Sequence, residues 1–213
     1  PAEFMSVIQQ HQLFPKLDQW VIRQILMHGE QDQDLLNGYS FISINLSGQS
    51  ITDSHFKEET LALLREHPDT ASRLCFEITE TTAIENLSSA VDFMHQVREF
   101  GTRFALDDFG TGFSSLSYLR NLPVDLIKID GQFVSGVAED PLDYSMLESI
   151  QQLAGILGIK TVAEFVENSE IDEKVRTIGI DYLQGYHIGK PEQLPWTGGS
   201  AAFGGSRTGN TGA

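Results

Sequence analysis

RFALDDFGTGFSSLSYLRNLPVDLIKID, residues 103–130, is the stretch whose reading decides the fold. Arg103-Phe104-Ala105-Leu106-Asp107 is short and apolar and ends on an acid, the pattern of a buried strand. Ser114 to Arg120 reads as a short helix, and Leu126-Ile127-Lys128-Ile129-Asp130 as a second buried strand. A helix between two such strands carries the chain back across the sheet, so the strands run parallel.

The same alternation extends in both directions. Upstream, strands are predicted at Phe41-Ile42-Ser43-Ile44-Asn45-Leu46 and Leu74-Cys75-Phe76-Glu77-Ile78-Thr79, with helices over 55–66 and 86–100. Downstream come a helix over 143–157, a strand at Thr161-Val162-Ala163-Glu164, a helix over 169–178 and a last strand near Tyr182-Leu183-Gln184-Gly185-Tyr186. Residues 4–28 carry Phe4, Ile8, Leu17, Trp20, Val21 and Leu26 at helical spacing, with Pro15 separating two helices. Short apolar strands alternating with helices imply a parallel sheet covered on both faces. The fold class expected is α/β, a TIM-like (β/α) barrel that is N-terminally truncated. A doubly wound open sheet is the alternative; it usually carries a Gly-rich phosphate turn after its first strand, which is not found here. Pro1-Ala2-Glu3-Phe4 enters mid-pattern without an initiator Met and reads as the edge of a piece cut from a longer protein. The barrel domain is assigned to residues 1–196, lacking its first strand. Residues 197–213, rich in Gly, Ser and Thr, are expected to form a flexible tail.

Bulk properties narrow the function. The chain has 213 residues, 40% hydrophobic and 21% charged, enough for a sizeable core without staples. Its net charge of −16 repels polyanions and argues against a nucleic-acid polymer as partner. A small phosphate ester remains possible where cations bridge acidic side chains to its oxygens. Cys75 is the one cysteine, which excludes an internal disulfide and a cysteine zinc cluster. No membrane-length apolar run and no signal-peptide pattern is seen, and a cytoplasmic location, or the cytoplasmic portion of a larger protein, is expected.

The polar residues fall in a pattern. Asn45, Glu77, Asp107, Asp108, Lys128, Glu164 and Gln184 all lie at or near predicted strand ends. In a (β/α) barrel those ends converge on the face that carries the active site. Any one of these carboxylates could be a helix cap or loop residue. Four carboxylates gathered together repel one another unless a cation joins them, and oxygen ligands of this kind suit Mg²⁺ or Mn²⁺ rather than zinc. Lys128 inside an apolar strand stands out, because lysine is rarely buried unpaired. Asp107-Asp108 can serve two metals, or one can ligate while the other acts as base. Gly110 and Gly112 allow tight turns behind them, and Ser114 or Ser115 can cap the next helix.

With these motifs in order, the chain resembles the EAL-domain family of bacterial cyclic-di-GMP phosphodiesterases. The resemblance rests on Ile44-Asn45-Leu46-Ser47, Phe76-Glu77-Ile78-Thr79-Glu80, Asp107 to Leu119, Leu122-Pro123-Val124-Asp125, Lys128-Ile129-Asp130, Ala163-Glu164-Phe165-Val166-Glu167 and Gln184-Gly185-Tyr186. It implies a (β/α) barrel that cleaves cyclic di-GMP to linear pGpG with two Mg²⁺ or Mn²⁺ ions. By resemblance, Asn45, Glu77 and Asp107 hold one metal, and Asp107 and Asp108 serve the second. Glu164 acts on the metal–water assembly, and Lys128 orients the attacking water or stabilises phosphate charge. Lys128, Glu164 and Asp108 are thus the catalytic candidates. Glu80 braces the loop after Asp108, Asp130 holds Lys128, Gln184 supports the site, and Phe165 and Glu167 join the substrate-binding or supporting set. The implied partners are cyclic di-GMP, a second copy in a homodimer, and upstream sensory or GGDEF-type domains.

Two departures from the family pattern matter. The signature Glu-Ala-Leu is absent; Leu61-Ala62-Leu63-Leu64-Arg65 is a decoy in a predicted helix, with Leu61 where Glu is required. Its Glu is by resemblance a metal ligand, so these residues alone are expected to be weakly active or inactive. The family usually has Gly where Phe165 stands, and Phe165 either stacks on a guanine or packs on a neighbouring loop. The alternatives to an enzyme are a catalytically inactive cyclic-di-GMP receptor signalling to a protein partner and a pure interaction scaffold. Receptor-type relatives typically lose metal ligands or the paired Asp, whereas here the paired Asp and every ligand other than the signature Glu are present.

Overall fold

In the computed structural model, which describes residues 8, 10–32, 38–111 and 118–192, six strands lie side by side in chain order. They are β1 (Ile42–Asn45), β2 (Leu74–Thr79), β3 (Arg103–Phe109), β4 (Leu126–Ile129), β5 (Lys160–Ala163) and β6 (Tyr182–Leu183), and every neighbouring pair is parallel. Sequential order without reversal is the topology of a barrel wall, and it removes the doubly wound alternative, whose order turns back on itself. The sheet curls. Phe41, just before β1, meets Tyr182 of β6 edge to face with ring centroids 5.9 Å apart, so the two outer strands approach each other at the sheet's N-terminal end.

The helices return the chain between strands. α1 (Phe14–Gln31) precedes β1; Pro15 stands in its first turn, where a missing N–H costs nothing. α2 (Gly48–Thr52), α3 (Ser54–Glu66) and α4 (Pro68–Ala71) join β1 to β2. The decoy Leu61–Arg65 lies in α3, with Leu63 and Leu64 buried. α5 (Glu80–Glu85) and α6 (Leu87–Arg98) lead to β3, and a 3₁₀ turn at Leu119–Asn121 precedes β4. α7 (Gly131–Val134) and α8 (Pro141–Leu157) lead to β5, and α9 (Ser169–Ile178) to β6. Asp53, Asp140 and Asn168 cap α3, α8 and α9 by accepting from Phe56 N, Leu142 N and Ile171 N. Gly158 and Gly179 end α8 and α9 in the left-handed region that glycine adopts without strain. The expected helix over Ser114–Arg120 falls largely on residues outside those described, as do Phe4, Gly112 to Ser117 and the tail 197–213.

Strand alternation sorts the side chains. Phe76, Ile78, Phe104, Leu106, Ile127 and Ile129 face the helices and join the main core with Phe93, Met94 and Leu64. The other face buries Cys75, Ala105, Leu126 and Val162 as an inner layer, with Phe41 against it. Burial pushes the Cys75 thiol up to about 12, so it stays a protonated core residue at neutral pH. The sheet's N-terminal end is stitched for stability: Asp125 accepts from Phe104 N and from Arg98, and Asp181 accepts from Thr161 N and Lys160. Among the described residues, no helix is long and apolar enough to cross a membrane.

Candidate metal centre

Two residues beyond the inner apolar layer, the inward positions turn polar. Asn45 of β1 pairs in register with Glu77 of β2, and Lys128 of β4 with Val162 of β5. Glu164 follows β5 immediately, and Gln184 follows β6. These are the C-terminal strand ends, and the structure brings the predicted residues to one face there. Below them a cavity of about 610 Å³ runs down inside the curled sheet, lined by Glu77 and Lys128 above and Phe41 and Tyr182 below.

Lys128 is the hub. Its Nζ donates to Glu77 Oε2 at 2.7 Å and Asp107 Oδ1 at 2.8 Å, and lies 2.9 Å from Glu164 Oε1. Lys128 and Glu77 are only 5% and 6% exposed, so the ammonium is affordable here only because it is paired. Burial pulls its pKa down, but the Glu77 charge and the three carboxylate hydrogen bonds outweigh burial, and it is held well above the ordinary lysine value. Three carboxylates around one ammonium leave excess negative charge. Burial pushes the Glu164 carboxyl up, and the Asp107 and Glu77 charges add a smaller rise against Lys128.

Asp107 and Asp108 reach the site through a β-bulge. Leu106 pairs with Ile127 and Phe109 with Ile129, so two residues of β3 oppose the single Lys128. The extra residue bends the strand and re-aims its side chains. Asp108 takes the left-handed backbone at φ 55°, a conformation that costs a non-glycine residue about 1 kcal/mol or more. Burial raises the Asp108 carboxyl, followed by the nearby charges of Asp107 and Asp130. Ligand atoms of Asp107, Asp108 and Glu164 all lie within 4.8 Å of one another, close enough to share a cation. The donors are hard oxygens in a site with surplus negative charge, which fits Mg²⁺ or Mn²⁺.

Supporting residues surround this centre. Glu80, 3% exposed, accepts from Gly110 N at 3.0 Å and from Tyr118 Oη at 2.6 Å, tying the turn after Asp108 to α5. Burial and then the Glu80 bond push the Tyr118 phenol up, keeping it a donor. Tyr118 lies inside the Asp107 to Leu119 motif, but nothing local marks Glu80 as its partner. Asp130 differs from expectation. Lys128 donates to Glu77 and Asp107 and pairs with Glu164, while Asp130 Oδ1 accepts from Gln132 N and caps α7. Phe165 sits at φ 55° and is 58% exposed, with its ring against Gly131, where an added Cβ would collide with it. Glu167 is exposed on the same loop. Gly185, in the Gln184-Gly185-Tyr186 motif, lets the chain pass directly over the Val166 backbone, leaving no room for a Cβ.

A family model described as EAL domain matches residues 1–191. Over 195 residues the chain is 46% identical to the cyclic di-GMP phosphodiesterase PdeB of Shewanella oneidensis, a match covering 91% of this chain and 22% of that protein. It is 39% identical over 194 residues to the cyclic di-GMP phosphodiesterase PdeF of Escherichia coli K12, covering 91% of this chain and 26% of that protein. The solved structure of the PaMucR phosphodiesterase in its c-di-GMP complex matches with a TM-score of 0.79 at 30% identity, covering 90% of this chain and 77% of that one. The chain therefore spans only 22% and 26% of the length of those two curated relatives.

Proposed function

The chain belongs to the EAL domain family, and from that premise we propose that its domain is a metal-dependent phosphodiesterase that hydrolyses cyclic di-GMP to pGpG. The observation that carries the reading is the convergence of Glu77, Asp107 and Glu164 on Lys128, with Asp108 beside them at the mouth of the curled sheet. Asn45, Glu77, Asp107 and Asp108 would hold two Mg²⁺ or Mn²⁺ ions, with Glu164 at their edge. Ions held there would supply Lewis acidity, lowering the pKa of a water molecule and offsetting charge on the phosphate.

The chain's own residues supply the rest. Lys128 holds three carboxylates in convergent orientation and places a permanent positive charge at the reacting phosphate. Glu164, whose carboxyl already binds its proton more tightly than usual, accepts the proton of the attacking water. The Glu80–Gly110 bond fixes the turn that carries Asp108. Gln184 supports the site from the end of β6. The exposed face of Phe165 is free to stack on a guanine. Addition of one water across one phosphodiester bond opens the cyclic dinucleotide to pGpG.

Because the tripeptide Glu-Ala-Leu occurs nowhere in the 213 residues, full activity is assigned to a domain that includes it and little or none to these residues alone. Upstream sensory or GGDEF-type domains and pairing into a homodimer complete the reading. The test is product analysis. The intact domain, incubated with cyclic di-GMP and Mg²⁺ or Mn²⁺, is expected to release pGpG, and EDTA to stop it. Cyclic di-GMP bound tightly but recovered intact with either ion would replace the enzyme by a receptor.

A further inference from the structure

A buried carboxylate outside the metal centre has no role in the chemistry above. Asp18 lies in α1, 7% exposed, and its Oδ2 accepts from Ser47 N at 2.8 Å and from Ser50 Oγ at 2.6 Å. Both donors are neutral, and burial raises the Asp18 carboxyl despite them. A carboxylate buried on neutral donors is an expensive way to staple a helix to a turn.

What it staples is the exit of β1. Ser47 follows Asn45 by two residues and caps α2, accepting from Ser50 N at 3.2 Å and meeting Ser50 Oγ at 3.0 Å. On the far side, Leu46 N donates to Glu77 O at 2.8 Å. Gly48 leaves just enough room for Thr82, whose hydroxyl and amide both pair with Thr79 at the end of β2. The turn after Asn45 is thus clamped between α1 and the end of β2, and Asp18 is the clamp on the α1 side.

We propose that Asp18 is a positioning residue for the metal centre, fixing the β1 exit so that Asn45 is presented beside Glu77. Its metal arm rests on the phosphodiesterase reading; its structural arm does not. Outer partners that orient a metal ligand typically change metal affinity 10–100-fold when removed. In the intact domain, Asp18→Ala is expected to raise the Mn²⁺ concentration for half-maximal hydrolysis about 10-fold, with the rate at saturating Mn²⁺ recovering to within about threefold of wild type. Asp18→Asn keeps an acceptor oxygen and should restore most of the affinity. Ser50→Ala removes one of the two bonds and should move the midpoint in the same direction by a smaller factor. NMR of the same variants supplies the metal-free readout: Asp18→Ala should speed exchange of the Ser47 amide and shift the Asn45 side-chain NH₂ resonances. An unchanged Mn²⁺ midpoint in Asp18→Ala, or in Ser50→Ala should Asp18→Ala not fold, overturns the proposal. A wild-type domain that takes up no Mn²⁺ overturns the phosphodiesterase reading, and Asp18 is then judged on the Ser47 and Asn45 signals, whose constancy would overturn its positioning role.

Discussion

Lys128→Met is expected to cost the metal-free protein about 3–5 kcal/mol of stability, the scale for removing one partner of a buried ion pair. The side chain of Lys128 touches Glu77, Asp107 and Glu164, and all of these carboxylates are buried or nearly so. Methionine fills much of the same volume, so the loss is electrostatic rather than a cavity. With the ammonium gone, Glu164, whose carboxyl burial already raises, loses the contact that lowers it and binds its proton still more tightly in the folded state. Groups whose folded pKa is raised leave stability intact below their unfolded pKa and lose it as pH rises through the folded one. The deficit of Lys128→Met should therefore shrink in acid, below the ordinary Glu value, and grow toward neutral pH. Glu164, raised by burial even with Lys128 present, leads this effect. Millimolar Mn²⁺ should return part of the lost stability, because a cation that binds only the folded state stabilises it by mass action. Urea denaturation of both proteins in EDTA and in Mn²⁺ reads all three effects. Equal midpoints for Lys128→Met and wild type in EDTA would show that the carboxylates do not depend on the lysine.

Asp107→Asn in the intact domain is expected to lower the rate of cyclic-di-GMP hydrolysis by about 10³-fold or more, a loss of roughly 4 kcal/mol of transition-state stabilisation. Asp107, like Glu164, belongs to both groupings: it accepts from Lys128 and lies within 4.8 Å of the Asp108 and Glu164 ligand atoms. The amide keeps the shape but loses the charge, so the bulge and the fold should survive. Mn²⁺ affinity should fall with the rate. Steady-state kinetics beside a Mn²⁺ titration separate the outcomes, and a variant that hydrolyses at wild-type rate would remove Asp107 from the metal centre.

Much of this was legible in the sequence because it is periodic. Strand alternation placed all six strands, and their order followed from the helices between them. The same reading puts Asn45, Glu77, Lys128 and Glu164 at or near strand ends, which a (β/α) barrel gathers on one face. What escaped is non-local. The bulge at Asp107–Asp108 exists only in the register with β4, which sets two residues of one strand against Lys128 of another. Asp130 sits two residues from Lys128 in sequence yet turns to its own helix, because an Asp before a helix start caps Gln132 at less cost than it reaches back along a strand. α4, α5 and α7, at 4, 6 and 4 residues, are too short to show a helical period. Asp18 meets Ser47 and Ser50 across 29 and 32 residues, and nothing in its local sequence marks the partnership.

Asp107, Asp108 and Glu164, with Asn45 and Glu77, are proposed to form a divalent-metal centre at the C-terminal ends of the strands. Anomalous diffraction at the manganese edge, from crystals of the intact domain soaked in Mn²⁺, tests it most directly. Anomalous peaks are expected within coordination distance, about 2.0–2.3 Å, of carboxylate oxygens of Asp107 and Asp108, and their loss in Asp107→Asn. Crystals with full Mn²⁺ exposure that show no peak among these side chains, with Lys128 still holding Glu77, Asp107 and Glu164, would contradict it.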